Sequence, residues 1–526
     1  MAAVPTRSLR AAALAAALCT LPLGAQHPDG SFGYLMLVGT DTISVERVTV
    51  RERVWSGDII TRTAGRLMWS AIEVAPQRFS ALDLAAYRTA ADASPFQRVT
   101  LGLDGDTAVL SVIYPRAAEQ RLPSRRGALV LINSSIAQLA HFASRTTAGR
   151  SDTVPMFLAS GGQTLPAIFT RQGDTTRVLL GGVETLFVHD AGGQVVGGGV
   201  PAQGLRLVRV SGEALADLRY GATDYEAPAD APYRAEQVRI STPAGHTLAA
   251  TFTRPREGAG PFPVVVTISG SGPQDRDEFI PVANGYRPFR QFADSLGRSG
   301  VAVLRFDDRG TGASTGDHSA ATSADFADDV RAVLRWLRGR PDVASERIIL
   351  LGHSEGAMIA PMVAATDRRL GGVILMAGPA QTGRDIVLYQ QRFAIDRDST
   401  LRSAAARDSA AAVARATYDS VAVTRPWWRF FASHDPLPTA RQVTVPALVL
   451  HGATDRQVTA EQAETLGAAI RAGGNRDVTV RVFPGLNHLF LPDPDGAPSN
   501  YPRLPSGRIG PEVVGLIVDW VHAKSR

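Results

Sequence analysis

Two patterns of apolar spacing divide the chain near residue 230. From about Ser31 to Val210, apolar and polar residues alternate in short runs, as at 45–53, 109–114, 128–132 and 176–180. Clusters such as Asp104-Gly105-Asp106 and the glycine-rich stretch from Gly192 to Gly199 separate these runs. Successive side chains of a strand point to opposite faces, so period-two runs at this spacing predict a mostly antiparallel β domain over 26–226. A short helical piece is predicted around Ile136 to Ala143. Gly197-Gly198-Gly199 lacks a strand-to-helix setting, so it reads as a turn and not as a phosphate cradle.

Residues 227–232, Ala-Pro-Ala-Asp-Ala-Pro, read as a linker. Beyond it, predicted strands at 237–241, 247–253, 264–268, 301–306, 347–351, 372–376, 447–450 and 478–483 are separated by helical periodicity, for example at 324–338 and 460–471. Several strands are continuous apolar runs, such as Val264-Val265-Val266 and Ile348-Ile349-Leu350-Leu351. Such runs fit strands covered on both faces, and the alternation predicts a doubly wound, mostly parallel α/β domain over 233–526. The interval 379–443 is Ala/Arg/Asp-rich with aromatic residues at Trp427, Trp428, Phe430 and Phe431. It exceeds an ordinary connection and predicts a helical cap over the sheet.

The chain has 526 residues, 44% of them hydrophobic and 20% charged, a balance that excludes the disordered and membrane-embedded classes. Its formal charge of +5 is arginine-dominated and scattered, which gives no nucleic-acid-binding face. Arg7 and Arg10 precede an apolar stretch, Ala11 to Leu23, too short to span a bilayer, and Leu23-Gly24-Ala25 supplies small residues. This predicts an export signal over 1–25, cleaved after Ala25, and a periplasmic or extracellular product. The single cysteine, Cys19, lies within the signal. A lipoprotein reading would acylate it, but Leu18 stands where a small residue is expected. Disulfides, thiol catalysis and zinc–thiolate sites are then excluded from the mature chain. No later apolar run predicts a membrane span, and the sequence assigns no oligomeric state.

Chemistry concentrates in the second half. Gly352-His353-Ser354-Glu355-Gly356 is a G-x-S-x-G sequence with an apolar strand before it and a helical run after it. A sharp strand-to-helix turn needs flanking glycines and leaves the serine hydroxyl exposed at a helix N-terminus. A serine hydroxyl needs a base held in the right tautomer, and in this setting the order is serine, acid, histidine. Asp455 follows the strand at 447–450, and His488 follows the strand at 478–483, so both stand at C-terminal strand ends, where α/β sheets gather their sites. Ser354 is the candidate nucleophile, Asp455 the acid and His488 the base. A developing oxyanion needs two donors. The backbone N–H groups of Glu355 and of Ser271, in Ser269-Gly270-Ser271-Gly272-Pro273, are the candidates. No cofactor or metal is called for.

From about Tyr233 to the C-terminus the chain resembles the α/β-hydrolase superfamily. It is similar to an esterase branch marked by S-G-S-G-P-x-D-R-D (Ser269 to Asp277), D-D-R-G-x-G-x-S-T-G (Asp307 to Gly316), G-H-S-E-G (Gly352 to Gly356) and N-H-x-F (Asn487 to Phe490). The branch often has a glycine where Ala357 stands. The resemblance implies cofactor-free hydrolysis of carboxylic esters, with the triad on Ser354, Asp455 and His488, and the leading expectation is an exported esterase acting on a small-molecule ester of short-to-medium acyl length. The Asp307-Asp308-Arg309 turn is expected to hold its loop through local salt bridges. Peptide or amide cleavage on the same fold is the alternative, and a non-catalytic binding protein is a third reading, disfavoured because serine, acid and base are all present.

Overall fold

Alternating burial along the first half and continuous burial along the second resolve into two separate sheets. The structure, a computed structural model, describes residues 30–526 apart from 39–40, 62–64, 88–91, 115, 160–161, 217, 219–222, 259, 400 and 423–424. The predicted signal segment with Cys19 lies outside the described residues.

Sixteen strands, β1–β16, run between Gly30 and Ser211 and form one sheet. Neighbours pair antiparallel except Leu129–Leu131 beside Ser151–Leu158, which run parallel. Helix α1 (Ile136–Ser144) buries Ile136, Ala140 and Ala143 against Trp55, Phe157, Phe187 and their neighbours. Its N-terminus rests on a buried carboxyl. Glu46 accepts hydrogen bonds from the Ser135 hydroxyl at 2.6 Å and the Ala137 N–H at 2.8 Å, and burial pushes its pKa up to about 7. Gly197 to Gly199 form the middle of a strand, β15 (Val195–Val200), where a turn was expected. The reason is close approach: a Cβ on Gly198 would sit 1.9 Å from the Leu186 carbonyl oxygen, and one on Gly199 2.3 Å from that of Leu205.

The second sheet contains β17 (Tyr233–Ser241), β18 (Thr247–Pro255), β19 (Phe262–Ile268), β20 (Ala302–Phe306), β21 (Val343–His353), β22 (Gly372–Met376), β23 (Ala447–Gly452) and β24 (Val478–Phe483). Their spatial order is β17-β18-β20-β19-β21-β22-β23-β24. The pairs β17–β18 and β18–β20 are antiparallel and the rest parallel. Ten helices follow in chain order through the molecule, and after α1 come α2 (Pro288–Arg298), α3 (Ser323–Arg338) and α4 (Glu355–Ala364) among the described residues. Then come α5 (Gly383–Asp396), α6 (Ala404–Ala422), α7 (Pro426–Ser433), α8 (Pro436–Ala440), α9 (Glu461–Ala472) and α10 (Pro511–Lys524). The apolar runs make sense at once. Val264, Val266 and Leu350 enter the core under α3, α4 and α9, whereas Val265, Ile349 and Leu351 enter the core under α2 and α10. At ~25 cal/mol per Å² of apolar area, burying both faces supplies much of what holds this half together.

The interval 379–443 holds α5 to α8. The first three pack on one another, while α8 packs on α4 and α9 and belongs to the body of the sheet. The segment 227–232 is irregular but not free of contacts. Ala231 is buried, and Tyr225 just before it lies under the Arg276 guanidinium, 4.2 Å from the ring centroid. Arg287, the residue just before α2, meets Asp41 of the first sheet at 2.8 Å.

The turn at Asp307 to Arg309 is tied by distant partners, where local ones were expected. Asp307 accepts from the Arg276 N–H at 2.8 Å and from its guanidinium at 3.0 and 2.7 Å. Asp308 accepts from the Ser269 hydroxyl at 2.7 Å, and Arg309 donates to Asp329 at 2.7 and 2.8 Å. The Asp307 and Asp308 bonds fasten the loop after β19 to the loop after β20, and Arg309 ties the latter to α3. The Arg276–Asp307 pair is almost wholly buried, with side chains 4% and 1% exposed. Removing one partner of such a pair strands the other charge in a poorly hydrated place. Arg276→Met is therefore expected to lower stability to urea by about 3–5 kcal/mol. A loss below ~1 kcal/mol would show that water reaches Asp307 and that the pair is not what fastens the loops.

Candidate active site

Ser354 sits between the last residue of β21 and the first of α4, with φ 54° and ψ −116°. A β-carbon-bearing residue rarely holds positive φ, and the turn keeps it there by crowding. A Cβ on Gly352 would lie 2.1 Å from the Gly356 carbonyl oxygen, and one on Gly356 2.1 Å from that of Ile268. The Ser354 N–H donates to the Met376 carbonyl at 2.8 Å, so the next strand pins the turn.

Asp455 follows β23 and His488 follows β24 in loops that touch: a Cβ on Gly452 would meet the Leu486 carbonyl oxygen at 2.3 Å. The structure brings all three predicted side chains together. His488 Nε2 is 3.1 Å from Ser354 Oγ, and His488 Nδ1 is 2.7 Å from Asp455 Oδ2. The second carboxylate oxygen of Asp455 accepts the N–H groups of Gln457 at 2.7 Å and Val458 at 2.9 Å. Burial would raise the Asp455 pKa, but the neighbouring His488 and His451 outweigh it and hold it well below the usual carboxylate range. Burial, together with the neighbouring His353 and His451, lowers the His488 pKa against the opposing pull of Asp455, so the imidazole is neutral at pH 7. With Nδ1–H donated to Asp455, Nε2 is left to accept the serine proton.

The two residues expected to supply oxyanion donors, Ser271 and Glu355, line one cavity with Ser354. Glu355 takes the first position of α4, where an N–H has no intrahelical acceptor. The neighbouring loop N–H of Gly270 is taken by Glu278 Oε1 at 2.7 Å, and Ser271, next along, lines the same cavity as Ser354. That cavity has a volume of about 340 Å³. Its apolar lining includes Ile280 and Val282, together with Ile386, Trp427, Trp428 and Phe431 from α5 and α7.

Sequence reasoning missed several side chains around this site. Glu355 was singled out for its backbone only, yet its buried carboxyl accepts from the Ser323 hydroxyl at 2.6 Å and from Trp427 Nε1 at 2.8 Å, which ties α7 to the turn. Burial raises its pKa. His353, the last residue of β21, bridges Glu278 and the His488 carbonyl. His451, at the end of β23, is 3.2 Å from Asp455 Oδ2. Glu278 carried one signal: an acid set directly before the apolar pair Phe279-Ile280. Among the described residues, no three His, Cys, Asp or Glu side chains converge as a metal site, and no helix is long and apolar enough to cross a membrane.

Residues 283–495 match a family model described as serine aminopeptidase, S33. Esterase EstD of Thermotoga maritima is 27% identical over 303 residues, spanning 57% of this chain and 71% of the relative. An uncharacterized protein of Mycobacterium tuberculosis is 30% identical over 255 residues, 46% of this chain and 68% of its own. The solved structure of a Pyrococcus furiosus esterase is 16% identical and covers 59% of this chain and 97% of that one, with a TM-score of 0.41.

The electrostatics of His488 set the pH response of Ser354. Because the folded-state pKa is depressed, the neutral base is fully present above ~6.5 and is lost only as pH falls through a lower value. Labelling of Ser354 by a fluorophosphonate is expected to be near its maximum at pH 7 and to fall with a midpoint below ~6.5. A midpoint above ~7 would contradict the burial argument.

Proposed function

Because the chain belongs to the α/β-hydrolase superfamily, we propose that it is a serine hydrolase that cleaves carboxylic esters through an acyl-enzyme. The observation that carries this reading is the hydrogen-bonded line from Ser354 through His488 to Asp455, opening on an apolar cavity. Ser354 Oγ attacks the ester carbonyl carbon while its proton passes to His488 Nε2. The carbonyl electron pair moves onto oxygen, where the N–H groups of Ser271 and Glu355 stabilise the charge. Collapse breaks the C–O bond to the alcohol, which takes the proton from His488. Water then attacks the acyl-enzyme by the same steps, giving the acid and free Ser354. Asp455 stays ionised throughout and balances the imidazolium. Ligand cavities commonly run from ~300 to ~1,000 Å³, so this one, at the small end, suits a short-to-medium acyl group against the α7 aromatics.

Peptide or amide hydrolysis is the second reading, favoured by the description of the matching family model. An aminopeptidase must anchor a free ammonium group. The two carboxyls in the cavity wall are already engaged, Glu278 with His353 and Gly270, Glu355 with Ser323 and Trp427. The remaining oxygen of each is closed off from solvent. This supports esters over peptides. The basic-then-apolar N-terminus supports placing the enzyme outside the cytoplasm.

A panel of p-nitrophenyl esters and aminoacyl-anilides tests both readings. Ester turnover is expected to dominate, and Ser354→Ala is expected to reduce it by ~10⁴-fold or more with an unchanged circular dichroism spectrum. Faster turnover of the anilides than of every ester would favour the peptidase reading, and full ester turnover by the alanine variant would remove Ser354 from the mechanism.

A further inference from the structure

Behind the Ser354 turn lies a second histidine that the hydrolytic steps do not use. His353 is buried, and both its ring nitrogens face acceptors: Nδ1 is 2.8 Å from Glu278 Oε1, and Nε2 is 3.0 Å from the His488 carbonyl oxygen. Against an ionised Glu278, a neutral imidazole, with one N–H and one lone pair, can satisfy only one of these contacts and would set a lone pair against the other oxygen. An imidazolium satisfies both. Glu278, buried in turn, divides Oε1 between His353 and the Gly270 N–H beside the oxyanion loop. One carboxylate thus reaches the oxyanion loop directly, the nucleophile through the chain neighbour His353, and the base through the carbonyl that His353 holds.

We propose that Glu278 and His353 form a buried carboxylate–imidazolium pair that positions the Gly270–Ser271 loop, Ser354 and His488 as one unit and keeps a fixed positive charge beside the base. The inference deepens the hydrolase reading and rests on it for its functional meaning. The charge is sustained by its setting. Burial disfavours it, but the Glu278 carboxylate and the His488 carbonyl outweigh that cost and raise the His353 pKa. The other titratable groups around the pair are Asp455 and His451 on the far side of His488, and Tyr286, whose phenol burial keeps neutral beside Glu278. The rings of His353 and His488 are 5.1 Å apart, close enough for the charge on one to oppose protonation of the other. This keeps His488 neutral in the resting site and helps it release its proton to the leaving alcohol. Glu278 and His353 are positioning residues, since neither reaches the reacting atoms.

Two measurements on the full chain decide the proposal. In protein labelled with ¹⁵N-histidine, NMR is expected to show both nitrogens of His353 protonated from pH 6 to 8. One bare nitrogen in that range would overturn the proposal, and this outcome depends on no substrate. Second, the pH dependence of fluorophosphonate labelling at Ser354 is compared between wild type and Glu278→Gln, with His353→Asn as a second variant. Loss of the cation beside His488 is expected to move the labelling midpoint upward by about half a pH unit. Slower labelling with an unmoved midpoint would reduce the pair to scaffolding and overturn the charge role. If the wild type is labelled as expected but turns over no ester, the ester reading fails while the pair stands. If neither variant folds, the NMR result on the wild type decides alone.

Discussion

Everything at this site depends on one backbone constraint, the positive φ of Ser354. The turn can exist only because Gly352 and Gly356 let β21, α4 and the end of β19 approach more closely than a β-carbon allows. That crowding raises the serine hydroxyl above the sheet and places the Glu355 N–H beside it at the helix start. The strain is held by the sheet itself, since the Ser354 N–H is bonded to β22 and the strands beneath are apolar on both faces. Rigid strands then fix where the loops after β23 and β24 deliver Asp455 and His488.

Around this turn the protein keeps several charges out of water. Arg276–Asp307, Arg305–Asp277 and Arg309–Asp329, with the Glu278–His353 contact beside them, tie the loops after β19 and β20 to each other, to β20 and β21 and to α3. Buried pairs are poor sources of stability when compared with apolar packing, because desolvation consumes much of their attraction. What they do well is fix geometry, since a displaced partner leaves an unpaired charge. Their concentration at the loops after β19 and β20 fits a site whose donors must stay in place while charge develops on substrate.

The legible part of the protein was the part written locally. Continuous apolar runs marked the covered strands, and the setting of Ser354, Asp455 and His488 at strand ends marked the residues that the structure brings into contact. The partners of buried polar groups were not legible, because folding joins them across long stretches of chain. Glu278 and His353 are 75 residues apart, and His353 and the His488 carbonyl 135. Likewise Arg276 gives no sign in sequence that it will meet Asp307. The glycines of β15 were misread for a related reason. Glycine usually signals a turn, but here cross-strand carbonyls exclude any side chain from an otherwise regular strand. The Glu355 side chain was overlooked because its backbone already had a role, and its link to Trp427 exists only once α7 folds over the turn.

The central claim is that Ser354 carries the acyl group during turnover. Rapid-quench mass spectrometry of the full chain hydrolysing a p-nitrophenyl ester tests it most directly. The account predicts a mass increase equal to the acyl group, located on the peptide that contains Ser354. An acyl adduct on any other residue during productive turnover would contradict it.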